Sequence, residues 1–154
     1  IQYVKEEHRL LIGERMAEEI KISVGSVWPQ DEELDVEVSG RDVITGLPKE
    51  IKIISPEIRK VLIRSTRIII NVIKDTIEET PPELISDLTK KSIYLAGGGS
   101  LLRGFDSLLA HETKLSVKII DDPLTAVVRG CGIVLEDVDK LKDILVNTDK
   151  EEYQ

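Results

Sequence analysis

The chain has very few of the residues from which disulfides, metal clusters and aromatic cores are built. Its 154 residues include one cysteine, two histidines, one tryptophan and one phenylalanine. The single cysteine, Cys131, excludes an internal disulfide and favours a reducing compartment. His8 and His111 are too scattered to predict a zinc cluster, and each is interpreted as a surface residue.

The sequence also lacks a surplus of basic residues and a long apolar segment. Its formal net charge is −8 at pH 7, and no run of basic residues exceeds two, which argues against a nucleic-acid-binding face. The longest apolar candidate, residues 67–73, is much shorter than the roughly 20 residues of a membrane-spanning helix. With 41% hydrophobic and 32% charged residues, the composition is typical of a soluble globular protein.

The first residues carry neither an initiator methionine nor a signal peptide. Ile1, Val4, His8 and Leu11 fall on one helical stripe, so the sequence is predicted to begin inside a helix. We therefore expect a fragment of a longer protein.

The first part of the chain, up to about residue 55, predicts helices followed by a small sheet. The opening helix is predicted to pass Gly13 and to end at Gly25. The segment "IKISV" alternates like a strand, but an apolar stripe through Met16, Ile20 and Val24 favours helix. A polar turn at 28–33 then leads to a predicted hairpin with arms at 34–38 and 51–54.

The second part predicts alternating helices and strands. Ser55 is predicted to cap a long helix whose first position is Pro56, and its broad apolar surface indicates burial on more than one side. The predicted elements are this helix to about residue 79, a short helix after Pro82, strands at 93–96 and 116–120, and helices at 101–110 and after Pro123. This order implies parallel strands and an α/β fold with an appended α+β lobe.

Three consecutive glycines, Gly97, Gly98 and Gly99, follow the apolar strand at 93–96 and precede Ser100 and a predicted helix. A tight turn needs one glycine or two. Free amides and the positive end of a helix would suit a phosphate or the polar edges of a nucleotide. The pattern by itself leaves both a plain turn and a ligand-binding floor open.

Two other features are interpreted as structural. Asp121 and Asp122 precede Pro123 at a predicted helix start, where they are typical of capping charges and not of a catalytic pair. Cys131 lies among small residues in "RGCG" and is predicted to pack closely.

Long segments of the chain resemble the MreB family of bacterial actin homologues. The segment "TPPELISDLTKKSIYLAGGGSLLRGFDSLLAHETKLSVKIIDDPLTAVVRGCGIVLE" resembles the C-terminal part of that family, and "LIGERMAEEIKISVGSVWP" and "VSGRDVITGLPKEI" resemble it in the same order. The resemblance implies a partial actin-like ATPase (ribonuclease H-like) fold. Residues 1–57 would form the small α+β lobe called IIB, and residues 58–154 the C-terminal portion of subdomain IIA.

The resemblance also implies a set of site residues. In this superfamily a glycine loop lies against the adenosine of the nucleotide, and here Gly97, Gly98, Gly99 and Ser100 would form it. A Glu and a Lys three positions apart on a IIB helix reach the ribose and adenine, and "AEEIK" matches at Glu18 and Lys21. Without the family, this pair is typical of an ordinary exposed ion pair.

Neighbouring carboxylates and absent motifs complete the implied site. Glu14 and Glu19 lie close enough in sequence to be confused with Glu18 and are weaker candidates. The superfamily binds ATP or ADP with Mg²⁺, and it holds the phosphates and metal mainly with two glycine-containing hairpins. Neither hairpin pattern occurs in this sequence, so no catalytic or metal-binding residue is assigned. The family is a weak ATPase coupled to polymerisation, and these residues alone are expected not to hydrolyse ATP.

The biology that the resemblance implies is a cytoplasmic filament that maintains rod cell shape. Its partners would be other subunits of the protofilament and a membrane-linked adaptor such as RodZ, with membrane contact through domain I and not through this chain. Two alternatives stay open: another actin-superfamily ATPase of cell division or pilus assembly, and an α/β domain whose glycine loop binds another cofactor. The phrases "TGLPK" and "TPPEL" favour the first interpretation over the division or pilus alternative.

Overall fold

A computed structural model describes residues 1–138, and the last part of the predicted second lobe, residues 139–154, lies outside the described residues. The elements are α1 (Gln2–His8), β1 (Leu10–Leu11), α2 (Glu14–Val24), β2 (Asp35–Asp42), β3 (Pro48–Ile54), α3 (Ser55–Glu78), α4 (Pro82–Lys90), β4 (Ile93–Leu95), a 3₁₀ turn (Gly98–Leu101), α5 (Phe105–Thr113), β5 (Val117–Ile119) and α6 (Ala126–Glu136). Within residues 1–138, no helix is both long and apolar enough to cross a bilayer.

The first sheet contains the predicted hairpin. β2 and β3 pair antiparallel with Val38 opposite Ile51 and Val36 opposite Ile53, and the arms extend further towards the turn than predicted. The predicted passage of the opening helix through Gly13 is wrong. Arg9 takes a left-handed conformation (φ 53°) that ends α1, and the fully buried Leu10 then pairs with β2 as part of β1.

The turn between β2 and β3 is organised by one carboxylate. Asp42 Oδ1 accepts hydrogen bonds from the backbone N–H groups of Ile44 (2.8 Å) and Thr45 (2.9 Å), and Lys49 Nζ lies 3.2 Å from its other oxygen. These contacts, the Thr45 amide first, hold the pKa of Asp42 at about 2, below its usual 3.8. The turn is therefore built for the charged form of Asp42.

This depressed pKa gives a prediction for pH dependence. Because the pKa of Asp42 is lower in the folded chain than in the unfolded one, its stabilising effect is complete above pH 3.8 and is lost as pH falls towards 2. We expect Asp42→Asn to lower the urea midpoint at neutral pH, and this difference from wild type to shrink between pH 4 and 2. Comparing wild type with the variant at each pH cancels the contribution of the other carboxylates to the pH dependence of stability. A difference that stays constant to pH 2 would contradict the assignment.

Helix α2 settles the ambiguous segment "IKISV" in favour of helix. Ile20 and Val24, four positions apart, are buried on one face, whereas Ile22 between them is 70% exposed. The helix ends at Gly25 as predicted. A Cβ on Gly25 would lie 2.2 Å from the Lys21 carbonyl oxygen, so the close approach at this helix end requires glycine.

Helix α3 contributes to both hydrophobic cores. Ile58 belongs to a core formed with α1, α2 and the first sheet, Ile70 belongs to a core formed with α5, and Leu62 packs against both. The predicted burial on more than one side is wrong, because Ile68 and Val72 are exposed on the opposite stripe.

The predicted cap of α3 is also wrong. Ser55 is the first helical residue, and its hydroxyl oxygen accepts a hydrogen bond from the Leu34 N–H (3.1 Å) across the sheet. Ser55 N in turn donates to the Leu34 carbonyl (2.8 Å), so this residue joins α3 to the strand entry instead of satisfying the first turn of the helix.

The second sheet is the predicted parallel pair, with Tyr94 of β4 opposite Lys118 of β5. The helix predicted at 101–110 begins later, at Phe105, because Gly104 (φ 76°, ψ 12°) takes a left-handed conformation. The glycines occupy a separate 3₁₀ turn. The parallel order of the strands was therefore predictable, but the exact helix start was not.

The last described helix, α6, begins at Ala126, three residues after Pro123. The predicted capping by Asp121 and Asp122 is wrong, because Thr125 stands at the cap position and the first turn of α6 contains no acidic residue. The Thr125 hydroxyl donates to the Asp122 carboxylate, and Arg129 Nη2 donates to the Asp121 carbonyl (2.6 Å). The predicted close packing of Cys131 is wrong among the described residues, because this side chain is exposed.

Candidate functional site

A cavity of about 830 Å³ lies between helix α2 and the turn that follows β4. We call this cavity the cleft, and residues 97–100 the glycine loop. Its volume falls within the usual range for a small-molecule site. The structure brings together in its lining all the predicted site residues except Gly97, namely Glu18, Lys21, Gly98, Gly99 and Ser100.

Glu18 and Lys21 form the polar edge of the cleft. They lie three positions apart on α2, and Lys21 Nζ is 2.8 Å from Glu18 Oε1. Both side chains are about half exposed, so they remain free to exchange this contact for a ligand. The carboxylate can accept hydrogen bonds from hydroxyl groups, and the ammonium can donate to ring nitrogens or sugar oxygens.

The two weaker candidates are directed elsewhere. Arg15 Nε lies 3.1 Å from Glu19 Oε1 in an exposed ion pair, and Glu19 does not line the cleft. Glu14 lines a smaller cavity of about 330 Å³, which Glu18 and Lys21 also line, but it does not line the cleft. The helical spacing of "AEEIK" therefore selects Glu18 among the neighbouring carboxylates.

The residues of the glycine loop have different structural roles. Gly97 has φ 79°, a conformation that favours glycine, and its N–H donates to the Pro123 carbonyl (2.7 Å). Gly98 and Gly99 do not have positive φ. A Cβ on Gly98 would lie 3.2 Å from Leu124 Cδ2, and one on Gly99 would face open space. Gly97 thus forms the turn. Gly98 and Gly99 leave space in the cleft, because they carry no side chain.

Ser100 closes the glycine loop from within. Its hydroxyl donates to the Gly97 carbonyl (2.7 Å), and the residue is only 3% exposed. The hydroxyl therefore stabilises the turn, and Ser100 lines the cleft without offering a free donor to it.

Much of the remaining wall is aliphatic. Ile22, Ile69, Leu101 and Leu124 line the cleft, and each of these side chains is at least half exposed. Such a surface favours binding of a flat apolar group, because the group would shield these aliphatic side chains from water. The sequence analysis missed this wall, because the four residues come from separate elements and carry no common spacing.

Arg103 is a further residue that the sequence analysis missed. Its Nε donates to the Gly25 carbonyl (3.2 Å) and its Nη2 to the Ser23 carbonyl (2.5 Å), at the C-terminal end of α2. Its own carbonyl accepts from the Val27 N–H (2.9 Å). We call this contact of residues 23–28 with residues 103–104 the seam. Its only sequence signal was Gly104, whose φ is 76°.

The chemistry that this arrangement supports is binding. Within residues 1–138, no group of three or more His, Cys, Asp or Glu residues could hold a metal ion. The cleft lining combines the Glu18 carboxylate, the Lys21 ammonium, Arg103, two glycines without side chains and an aliphatic surface. This combination fits a ligand with hydroxyl groups on one side and a flat, apolar ring on the other.

Sequence comparison places these residues in a known family. The family model described as MreB/Mbl protein matches residues 1–143. The cell shape-determining protein Mbl of Bacillus cereus is 44% identical over 141 residues, which cover 92% of this chain and 42% of that protein. The cell shape-determining protein MreB of Escherichia coli is 42% identical over 139 residues, which cover 90% of this chain and 40% of that protein. The chain thus spans about two fifths of these relatives.

Solved structures agree with this assignment. The crystal structure of MreB5 of Spiroplasma citri bound to ADP matches with a TM-score of 0.87 and 35% identity, over 92% of this chain and 43% of that one. The MamK double helical filament matches with a TM-score of 0.73 at 21% identity, over 88% of this chain and 41% of that one, and shows the fold alone. The predicted partial actin-like fold is confirmed, and the chain belongs to the MreB/Mbl family of cell shape-determining, actin-like proteins.

Proposed function

We propose that this chain is part of an ATP-binding, filament-forming bacterial cytoskeletal protein that maintains rod cell shape, and that it supplies the adenosine side of the nucleotide cleft. The observation that carries the proposal is the shared cavity, in which Glu18 and Lys21 face the glycine loop across an aliphatic wall. Support comes from the relatives, which are named cell shape-determining proteins, and from MreB5 structures that hold ADP or AMPPNP.

The residues of the cleft suggest how a nucleoside would lie. Glu18 would accept hydrogen bonds from the ribose hydroxyls and Lys21 would donate to the sugar or base. The base would rest on Ile22 and Leu124, and the sugar would pass over Gly98 and Gly99. The described residues do not fit Mg²⁺, because no cluster of carboxylates faces the cleft. We therefore expect the metal and the phosphates to be held by other residues.

The same proposal covers organisation and partners. Residues 1–57 would form lobe IIB and residues 58–154 the C-terminal portion of IIA, with the two hydrophobic cores as their centres. Partners would be neighbouring subunits of a protofilament and a membrane-linked adaptor such as RodZ. Relatives named for cell shape favour this function over a role in division or pilus assembly.

Replacing Glu18 tests the ribose contact. We expect Glu18→Ala to weaken ADP binding by about 1–2 kcal/mol, or roughly 5–30-fold, because one charge-assisted hydrogen bond is lost. The measurement is a titration of the full-length gene product with a fluorescent ADP analogue. Glu19→Ala is the matched control, because Glu19 is the next residue on α2 and pairs with Arg15 away from the cleft.

Replacing Gly98 tests the opposite wall in the same titration. A branched side chain at Gly98 would meet Leu124 and fill space beside the aliphatic wall, so Gly98→Val is expected to weaken ADP binding more than Glu18→Ala does. If ADP affinity is unchanged in both variants, the assignment of these residues to a nucleotide site is wrong.

A further inference from the structure

We infer that Arg103 is a positioning residue, which sets the distance between the two walls of the cleft by fastening the end of α2 to the segment that follows the glycine loop. The inference rests on the proposed function, because it concerns how Glu18 and Lys21 are held opposite residues 97–100. Arg103 is half-buried and itself lines the cleft, next to Leu102 and Leu101.

The contacts of Arg103 connect the two walls directly. The guanidinium reaches two carbonyls at the end of α2, those of Ser23 (2.5 Å) and Gly25 (3.2 Å). The backbone of the same residue bonds to Val27 and forms a parallel bridge with Ser26. Arg103 therefore holds the end of α2 through its side chain, and it holds residues 26–27, which follow α2, through its main chain.

The seam is also too tight to slide. A Cβ on Gly104 would lie 2.4 Å from Trp28 Cβ and 3.2 Å from Trp28 N, so the two segments approach each other closely at this point. Ser26 is fully buried at this contact and forms the parallel bridge with Arg103. Close backbone contact of this kind transmits the position of one segment to the other.

Electrostatics favours arginine at this position. The last carbonyls of a helix lack intrahelical partners and carry partial negative charge, which a guanidinium compensates. Its fork of donors can reach two carbonyls at once, whereas a lysine ammonium acts as a single point charge. The side-chain hydrogen bonds of Arg103 direct its charge to the carbonyls of Ser23 and Gly25.

We call the hydrogen bonds from the Arg103 side chain to the Ser23 and Gly25 carbonyls the clamp. The geometry of α2 explains why the clamp matters to a ligand. Glu18 lies six residues before Val24, or about 9 Å along the helix axis at 1.5 Å per residue. A tilt of α2 by about 10° at its C-terminal end would therefore move Glu18 by roughly 1.5 Å, which is enough to break a hydrogen bond. Loss of the clamp should act on the ligand through Glu18 and Lys21.

A double-mutant cycle on the full-length gene product tests this coupling. We expect Arg103→Met, which keeps an unbranched apolar stem but removes all donors, to lower the affinity for a fluorescent ADP analogue about tenfold in the wild-type background. In the Glu18→Ala background the same change should cost less than about threefold, because the contact that Arg103 positions is already gone. Arg103→Lys should restore only part of the affinity. Equal losses in both backgrounds, or no loss, would overturn the inference.

Hydrogen exchange without nucleotide separates this inference from the proposed function. Arg103→Met should speed amide exchange in the last turn of α2 and in the glycine loop. Arg15→Met is the matched control: Arg15 also lies on α2, but its ion pair with Glu19 (3.1 Å) is outside the seam and it does not line the cleft. Unchanged exchange in the Arg103 variant rejects the positioning role, even if ADP binds. If amide exchange is faster in the Arg103 variant but the wild-type protein binds no ADP, the positioning role is retained and the nucleotide site is rejected.

Discussion

In a chain that carries Gly104→Ala, the free energy of unfolding is expected to fall by about 2–5 kcal/mol, which is a large share of the stability of an ordinary domain. Two costs add. Gly104 has φ 76°, and an alanine in the left-handed region costs roughly 1–2 kcal/mol. The new Cβ would also lie 2.4 Å from Trp28 Cβ and 3.2 Å from Trp28 N, and such overpacking typically costs about 1–3 kcal/mol.

A second glycine separates the two costs. Gly46 has a similar φ of 72°, but a Cβ there would meet nothing within 4 Å. We expect Gly46→Ala to lower stability by only about 1–2 kcal/mol, since it adds backbone strain without a collision. Urea unfolding measures both variants, and Trp28, the single tryptophan, reports on the seam by its fluorescence. If the two variants lose the same stability, then residue 104 does not approach Trp28 as closely as described.

The seam was the part of the site that the sequence could not reveal. It joins Gly25 to Arg103 across 78 positions, and no local pattern links segments so far apart. The sequence analysis interpreted Gly25 only as a helix end and took residue 104 as helical. Gly104 is instead required by its contact with Trp28, a property that depends on the tertiary fold, whereas Gly25 is required by the approach of the Lys21 carbonyl in its own helix.

Local patterns were reliable where one face of an element is buried against a core. The alternation of β2 and β3 predicted the hairpin, and the stripe through Ile20 and Val24 predicted α2 in spite of its strand-like segment. Neither rule could predict β1, because two residues are too few to show a period. The left-handed Arg9 that ends α1 is equally invisible in a residue type that rarely takes this conformation.

The candidate site likewise contains features that the sequence predicted and features that it did not. The three-residue spacing of Glu18 and Lys21 predicted that they share a helix face, which their 2.8 Å contact confirms. Their role towards a ligand stays a prediction. The glycine loop was predicted as a uniform floor, but only Gly97 has a positive φ and it does not line the cleft. A run of identical residues does not show which of them makes the turn.

The exposed apolar faces of two helices should have the largest effect on the oligomeric state of the chain. On α3, Val61, Ile68, Ile69 and Val72 form one exposed stripe beside the buried Ile58 and Ile70. On α6 no described residue is buried, and Val127 and Val128 are 72% and 67% exposed. Contiguous apolar surface of this kind favours association in water.

We therefore expect the 154-residue chain by itself to self-associate, with an average mass above 17.3 kDa that rises with concentration. The double variant Ile68→Lys/Val72→Lys should lower this mass towards that of the monomer, because two charges interrupt the stripe on α3. Ile44→Lys is the matched control: Ile44 is 68% exposed, like Ile68 at 67%, but lies on the hairpin turn. Light scattering over a concentration series measures all three chains. A wild-type chain that stays a cooperatively unfolding 17.3 kDa monomer at high concentration would show that these faces do not drive association.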